Sequence, residues 1–115
     1  MAELLTEKEL LSNVIETARI YSWKVAHFRS VPVKRGPRVI WETPVQADGA
    51  GFPDLVLVRE RVIFAELKVG YNKLSPRQED WLNWLGRDAG AECYIWTPND
   101  WLDRIIPSIL EKRAA

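Results

Sequence analysis

The stretch Gly51–Lys68, GFPDLVLVRERVIFAELK, decides how this chain is organised. Two short apolar runs, Leu55–Val58 and Val62–Ala65, flank Arg59-Glu60-Arg61. Runs rich in Val, Ile, Leu and Phe around a short polar loop predict a β-hairpin. With the loop centred on Glu60, antiparallel pairing sets Val58 opposite Val62, Val56 opposite Phe64 and therefore Asp54 opposite Glu66. Residues directly opposite share a face with Cβ atoms about 4.5–5.5 Å apart, where like charges destabilise. Lys68 follows Glu66 by two positions, so strand alternation returns it to that face. Two carboxylates and a lysine converge at the open end of an otherwise apolar hairpin. A hard divalent cation with oxygen ligands, Mg²⁺ or Mn²⁺, is the natural compensator. Solvated charges at ordinary strand ends are the plainer alternative for the same residues.

Composition bounds the remaining choices. A chain of 115 residues fits a single domain over 1–115, large enough for a core without staples. Hydrophobic residues at 47% and charged residues at 28% match a soluble globular protein. The one cysteine, Cys93, has no partner, so neither a disulfide framework nor a cysteine-rich zinc site forms within the chain, and a reducing, cytoplasmic location is expected. No apolar run approaches the roughly 18 residues of a membrane span. The opening MAELLTEKELL is acidic where a signal peptide is basic. Lys and Arg total 16 and Asp and Glu total 16, which argues against a general nucleic-acid coat. The balance is uneven, however: Ile20–Trp41 holds Lys24, Arg29, Lys34, Arg35 and Arg38 and no acid. Such a run is either a solvated loop or a phosphate-contacting face.

In chain order, Thr6 followed by Glu9 fits a capping box, and a first helix is expected from Thr6 to about Tyr21. Leu10, Leu11, Val14, Ile15, Ala18 and Tyr21 form its apolar stripe. At about 100° per residue Glu7 falls within that stripe, with Glu9 and Glu16 opposite. Glu7 is then either a first-turn acid favoured by the helix dipole or a carboxylate aimed at a site. Trp23–Phe28 reads as a strand. Ser30–Gln46 is proline-interrupted and basic, and is expected to be a loop or flap with at most a short strand at Arg38–Trp41. His27 and Trp41 are each open to a substrate-contact reading and to an ordinary structural one. Ala47–Gly51 supplies flexible backbone just before Asp54.

Beyond the hairpin, Gly70–Leu74 is a polar loop carrying Lys73. Ser75-Pro76-Arg77-Gln78 starts a second helix, with Ser as N-cap, Pro at the first position and Gln three residues after the cap. That helix runs to about Leu85 with Trp81, Leu82 and Leu85 inward and Gln78 at the head of the stripe. Glu92–Trp96 is the next strand, Thr97-Pro98-Asn99-Asp100 a turn, and an amphipathic segment follows from Trp101, kinked or restarted at Pro107. The order αβββαβα implies an α/β fold with a mixed sheet flanked by helices.

Gly51-Phe52-Pro53-Asp54, Glu66-Leu67-Lys68 and Leu74-Ser75-Pro76-Arg77-Gln78 together resemble the VRR-NUC domain, a compact branch of the PD-(D/E)XK nuclease superfamily found in phage and repair proteins. The resemblance runs from Thr6 to about Trp101. It implies a restriction-endonuclease-like core and a metal-dependent DNA endonuclease. Asp54 and Glu66 would ligate Mg²⁺, or Mn²⁺ as substitute, with the Leu67 carbonyl as a third ligand. Lys68 would orient or deprotonate the attacking water and stabilise charge on the phosphate. Glu7 matches a first-helix glutamate that completes the metal site, and Gln78 matches a glutamine that braces it. Family members often carry glutamine at the position of Leu11 and glycine at that of Ser22.

Lys34, Arg35, Arg38, Lys73 and Arg77 are the candidate DNA contacts. The resemblance further implies branched DNA or four-way junctions as substrate, cut by a homodimer in DNA replication, recombination or repair, in the bacterial host cell if the protein is phage-encoded. Neither a membrane nor a nucleotide cofactor is implied. Two alternatives stand beside it: a DNA-binding module that has lost activity, and an interaction protein with no nucleic-acid partner.

Overall fold

A computed structural model describes residues 5–29, 31–42 and 45–114. The elements are α1 (Glu7–Ile20), β1 (Lys24–His27), β2 (Val31–Arg35), β3 (Arg38–Glu42), β4 (Leu55–Val58), β5 (Val62–Leu67), α2 (Pro76–Leu82), β6 (Glu92–Trp96), α3 (Pro98–Leu102) and α4 (Ile105–Glu111). A wider π-helical stretch, Asn83–Asp88, continues α2. Met1–Leu4 of the acidic opening, and Ser30, Thr43 and Pro44 of the stretch expected to be irregular, lie outside the described residues. No helix among the described residues is long and apolar enough to cross a membrane.

The main sheet has the order β1-β4-β5-β6. β4 and β5 pair antiparallel with Val58 opposite Val62 and Val56 opposite Phe64, the register expected from a loop centred on Glu60. β1 runs antiparallel to β4, while β6 is parallel to β5, with Glu66 beside Ile95 and Leu67 beside Trp96. The parallel pair requires a crossover, which α2 and its π extension supply. The sheet is therefore mixed, within an α/β domain.

Alternation divides the hairpin between two surroundings. Leu55, Leu57, Ile63, Ala65 and Leu67 join Leu10, Val14 and Ala18 of α1 and Ile106 and Leu110 of α4 in the buried core. Phe64, on the intervening positions, meets Phe52 edge-to-face, and Phe52 in turn meets Phe28 and Trp81. Both expected capping boxes form: Thr6 with Glu9 on α1, and Ser75 with Gln78 on α2. Trp81, Leu82 and Leu85 are half-buried, as the inward stripe requires.

Three expectations are corrected. The basic stretch is a two-stranded ribbon rather than a loop: β2 pairs with β3 from Val31–Glu42 to Arg35–Arg38. Gly36 at φ +60° followed by Pro37 makes the two-residue turn, since glycine at the first central position suits the tight hairpin turn. Pro32 is tolerated because a two-stranded ribbon consists of edges. The second helix leaves α geometry after Leu82 and continues as the π stretch. The last helical region starts earlier, at Pro98, because Thr97 and Asp100 form a third capping box. It breaks at Arg104, whose φ is +62°, and restarts at Ile105, with Pro107 in the first turn where its missing N–H is not needed.

Candidate active site

Asp54 lies just ahead of β4 and is held from both sides. Its carbonyl accepts the Phe28 amide at 2.8 Å, and its Oδ2 accepts the Leu67 amide at 2.9 Å. Behind it, Pro53 is fully buried and the Phe52 ring is wedged among Phe28, Phe64 and Trp81, with centroids 5.0–6.1 Å away. The carboxylate is thus fixed across the strand gap from β5 rather than left swinging at a loop end.

Glu66 is the one charged residue in the buried core of the described chain, with 2% of its surface exposed. Gln78 Nε2 donates to Glu66 Oε2 at 2.9 Å, and Lys68 Nζ lies 3.8 Å from the same oxygen, on the face that strand alternation assigns to it. Burial pushes the Glu66 carboxyl up to about 8, the Asp54 charge and a hydrogen bond to Asp54 add to this, and Lys68 opposes it. Burial, with Asp54 beside it, thus favours the protonated form of Glu66 in the free protein. Two carboxylates this close cannot both ionise cheaply.

Gln78 serves two neighbours with the two ends of one amide. Its Oε1 accepts the Ser75 amide at 2.9 Å in the capping box, which commits Nε2 to the donor role toward Glu66. The capping and bracing readings of this residue hold together.

The donor set is oxygen only: Asp54, Glu66 and the backbone at Leu67, whose amide already meets Asp54. Opposed carboxylates that retain a proton for want of positive charge are what a hard divalent cation relieves, so the residues suit Mg²⁺ or Mn²⁺. Glu7 does not join them. It is exposed in the first turn of α1, and among the described residues no group of three or more His, Cys, Asp and Glu side chains is assembled to hold a metal. Helical side chains tilt toward the N-terminus, which carries a first-turn residue past the end of the packed face, whatever its angle on the wheel.

Beside Lys68 an open cleft of about 360 Å³ is lined by Gly70, Tyr71, Asn72, Thr97 and Asn99. Lys73 is exposed on the loop before α2 and Arg77 in the first turn of α2, and Lys34, Arg35 and Arg38 are exposed on the ribbon. One face of the ribbon, formed by Pro32, Lys34, Val39 and Trp41, is exposed throughout, with Trp41 at 69%. His27 is exposed at the end of β1, opposite Leu55. Periodicity and motif spacing single out neither Tyr71 nor Trp84; the signal for the latter is its separation from Trp81 by one helical turn, and the two rings meet edge-to-face.

No protein-family model matches the chain, and comparison with curated proteins and with solved structures gives no match.

Proposed function

We propose that the protein is a divalent-metal-dependent DNA endonuclease of the PD-(D/E)XK type, similar to the VRR-NUC domain. The observation that carries this reading is the opposed pair Asp54 and Glu66 at the end of one hairpin, with Lys68 on the same face and Gln78 hydrogen-bonded to Glu66. A restriction-endonuclease-like core is supported by the element order. With the β2–β3 ribbon set aside and α3 and α4 taken together, the chain runs α, β, β, β, α, β, α. Ser22 stands at φ +71°, a conformation that favours the glycine family members often carry there.

A bound cation would activate water and neutralise charge building on the phosphate. Asp54 and Glu66 would hold it, with the Glu66 proton released to solvent. Gln78 keeps the Glu66 carboxylate in one orientation through a hydrogen bond to Oε2. Lys68 supplies a positive charge that stabilises the phosphate and directs the attacking water. DNA is drawn in by Lys34, Arg35 and Arg38 on the ribbon and by Lys73 and Arg77 on the loop and helix start after β5. A homodimer acting on branched DNA, including four-way junctions, follows from the resemblance and would double this modest set of phosphate contacts.

A second reading, a DNA-binding module without activity, draws on the exposure of Glu7 and on Leu11 in place of a polar residue. Asp54→Asn separates the two. The nuclease reading expects cleavage of branched DNA to be lost while the variant still retards the DNA. A variant that cuts as well as the wild type would remove Asp54 from the chemistry and the reading with it.

A further inference from the structure

A second open pocket, of about 310 Å³, lies between the loop before Asp54 and the α2 region, lined by Asp48, Ala50, Arg77, Asp80, Trp81 and Trp84. Its walls are fixed. Trp81 donates from Nε1 to the Asp48 carbonyl at 3.0 Å and meets Phe52 and Trp84 edge-to-face at 5.0 and 5.2 Å. Gly51, at φ +85°, presses its backbone against Arg77, so that a Cβ there would lie 2.6 Å from the Arg77 carbonyl carbon. Trp84 sits in the π-helical stretch with 48% of its surface exposed, and π turns recur at functional sites. Arg77, which lines the pocket, directly precedes Gln78, the residue bonded to Glu66.

We propose that this pocket is a subsite for one unstacked nucleobase of the nucleic acid, held against Trp84 beside the scissile position. The chemistry of the wall fits a base. An exposed indole offers a flat stacking surface that every base accepts, Arg77 offers a cation to the neighbouring phosphate, and Asp48 and Asp80 offer acceptors to base N–H groups. A duplex interior presents no free base face, so the subsite favours single-stranded segments and the openings of branched DNA. The proposal rests on the nucleic-acid reading of the carboxylate site.

The test is fluorescence anisotropy in chelator, so that no strand is cut. A labelled short oligodeoxycytidylate and a blunt duplex of equal length are titrated with wild type, Trp84→Ala and Trp84→Phe. Trp84 is exposed, so both variants should fold, which circular dichroism checks. Trp84→Ala is expected to bind the single strand roughly ten-fold more weakly, with Trp84→Phe recovering most of the loss and duplex affinity changing little. Equal affinity of Trp84→Ala for the single strand, or an equal loss on both DNAs, would overturn the subsite while leaving the nuclease reading intact. No binding of the single strand by the wild type would overturn the subsite, whereas the nuclease reading is tested separately by cleavage of branched DNA in the presence of metal.

Discussion

Gln78 Nε2 donates to Glu66 Oε2 at 2.9 Å, while the other end of the same amide accepts the Ser75 backbone N–H at 2.9 Å. The start of α2 is thereby tied to the central strand. Gln78→Glu separates the two functions, because glutamate also closes a capping box but presents an acceptor to Glu66. Its thermal stability at mildly acidic pH should stay near that of the wild type, while cutting falls about ten- to a hundred-fold, as for other residues that orient metal ligands. Gln78→Ala should lose both, with a stability cost of about 1 kcal/mol. Thermal midpoints and cleavage rates measured on the same preparations check the pair. Full activity in Gln78→Glu would contradict the bracing role.

The proton on Glu66 makes stability depend on pH in a definite direction. Burial, and then Asp54, raise the carboxyl from its ordinary 4.5 to about 8. The folded chain therefore binds a proton that the unfolded chain releases. This contribution is fully present below about 4.5 and is lost as pH rises toward about 8, with a slope of at most ~1.4 kcal/mol per pH unit. Thermal melts in chelator should show the decline, and Asp54→Asn, which removes the second cause, should flatten it. Mn²⁺ should raise the melting temperature near pH 8 and do little near pH 5, because cation and proton compete for Glu66. A metal-induced shift that is equal at both pH values would contradict the competition.

The far end of the hairpin is structural. Arg59 donates from Nη1 to the Tyr21 and Leu110 carbonyls at 3.0 Å each and lies 4.5 Å over the Trp23 ring. Arg61 donates to the Ile109 carbonyl at 2.9 Å. Two guanidiniums thus satisfy carbonyls at the end of α4. Arg59→Ala should cost about 2–3 kcal/mol in urea denaturation, and Arg59→Lys should recover little, since one ammonium cannot reproduce the fork. The cleavage rate per folded molecule should not change, because the loop lies at the opposite end of the hairpin from Asp54 and Glu66.

Local chemistry explains which features are legible in the chain. The apolar runs around Glu60 allow one symmetric register, so the Asp54–Glu66 pairing follows from the residues alone. Capping boxes are contiguous signals, and those of Thr6 and Ser75 are equally plain; that of Thr97 closes with Asp100 where the usual signal has Glu or Gln, and so reads as a turn. Pro32 and Pro37 obscure the ribbon, since proline argues against a strand only where the strand has two neighbours. Glu7 escapes the wheel, which gives an angle but not a height along the helix. Trp84 lies outside the Trp81, Leu82 and Leu85 stripe on the 100° wheel, so periodicity files it as a solvent-facing residue and gives no sign of the pocket it lines.

The most direct test of the account is cleavage of labelled linear duplex, flap and four-way junction DNA by wild type and Glu66→Ala, in Mg²⁺, in Mn²⁺ and in chelator. The account predicts metal-dependent cutting by the wild type, strongest on a branched substrate, and none by Glu66→Ala or in chelator. Cutting that persists in Glu66→Ala, or a wild type that binds the junction and cuts no substrate with either metal, would contradict it.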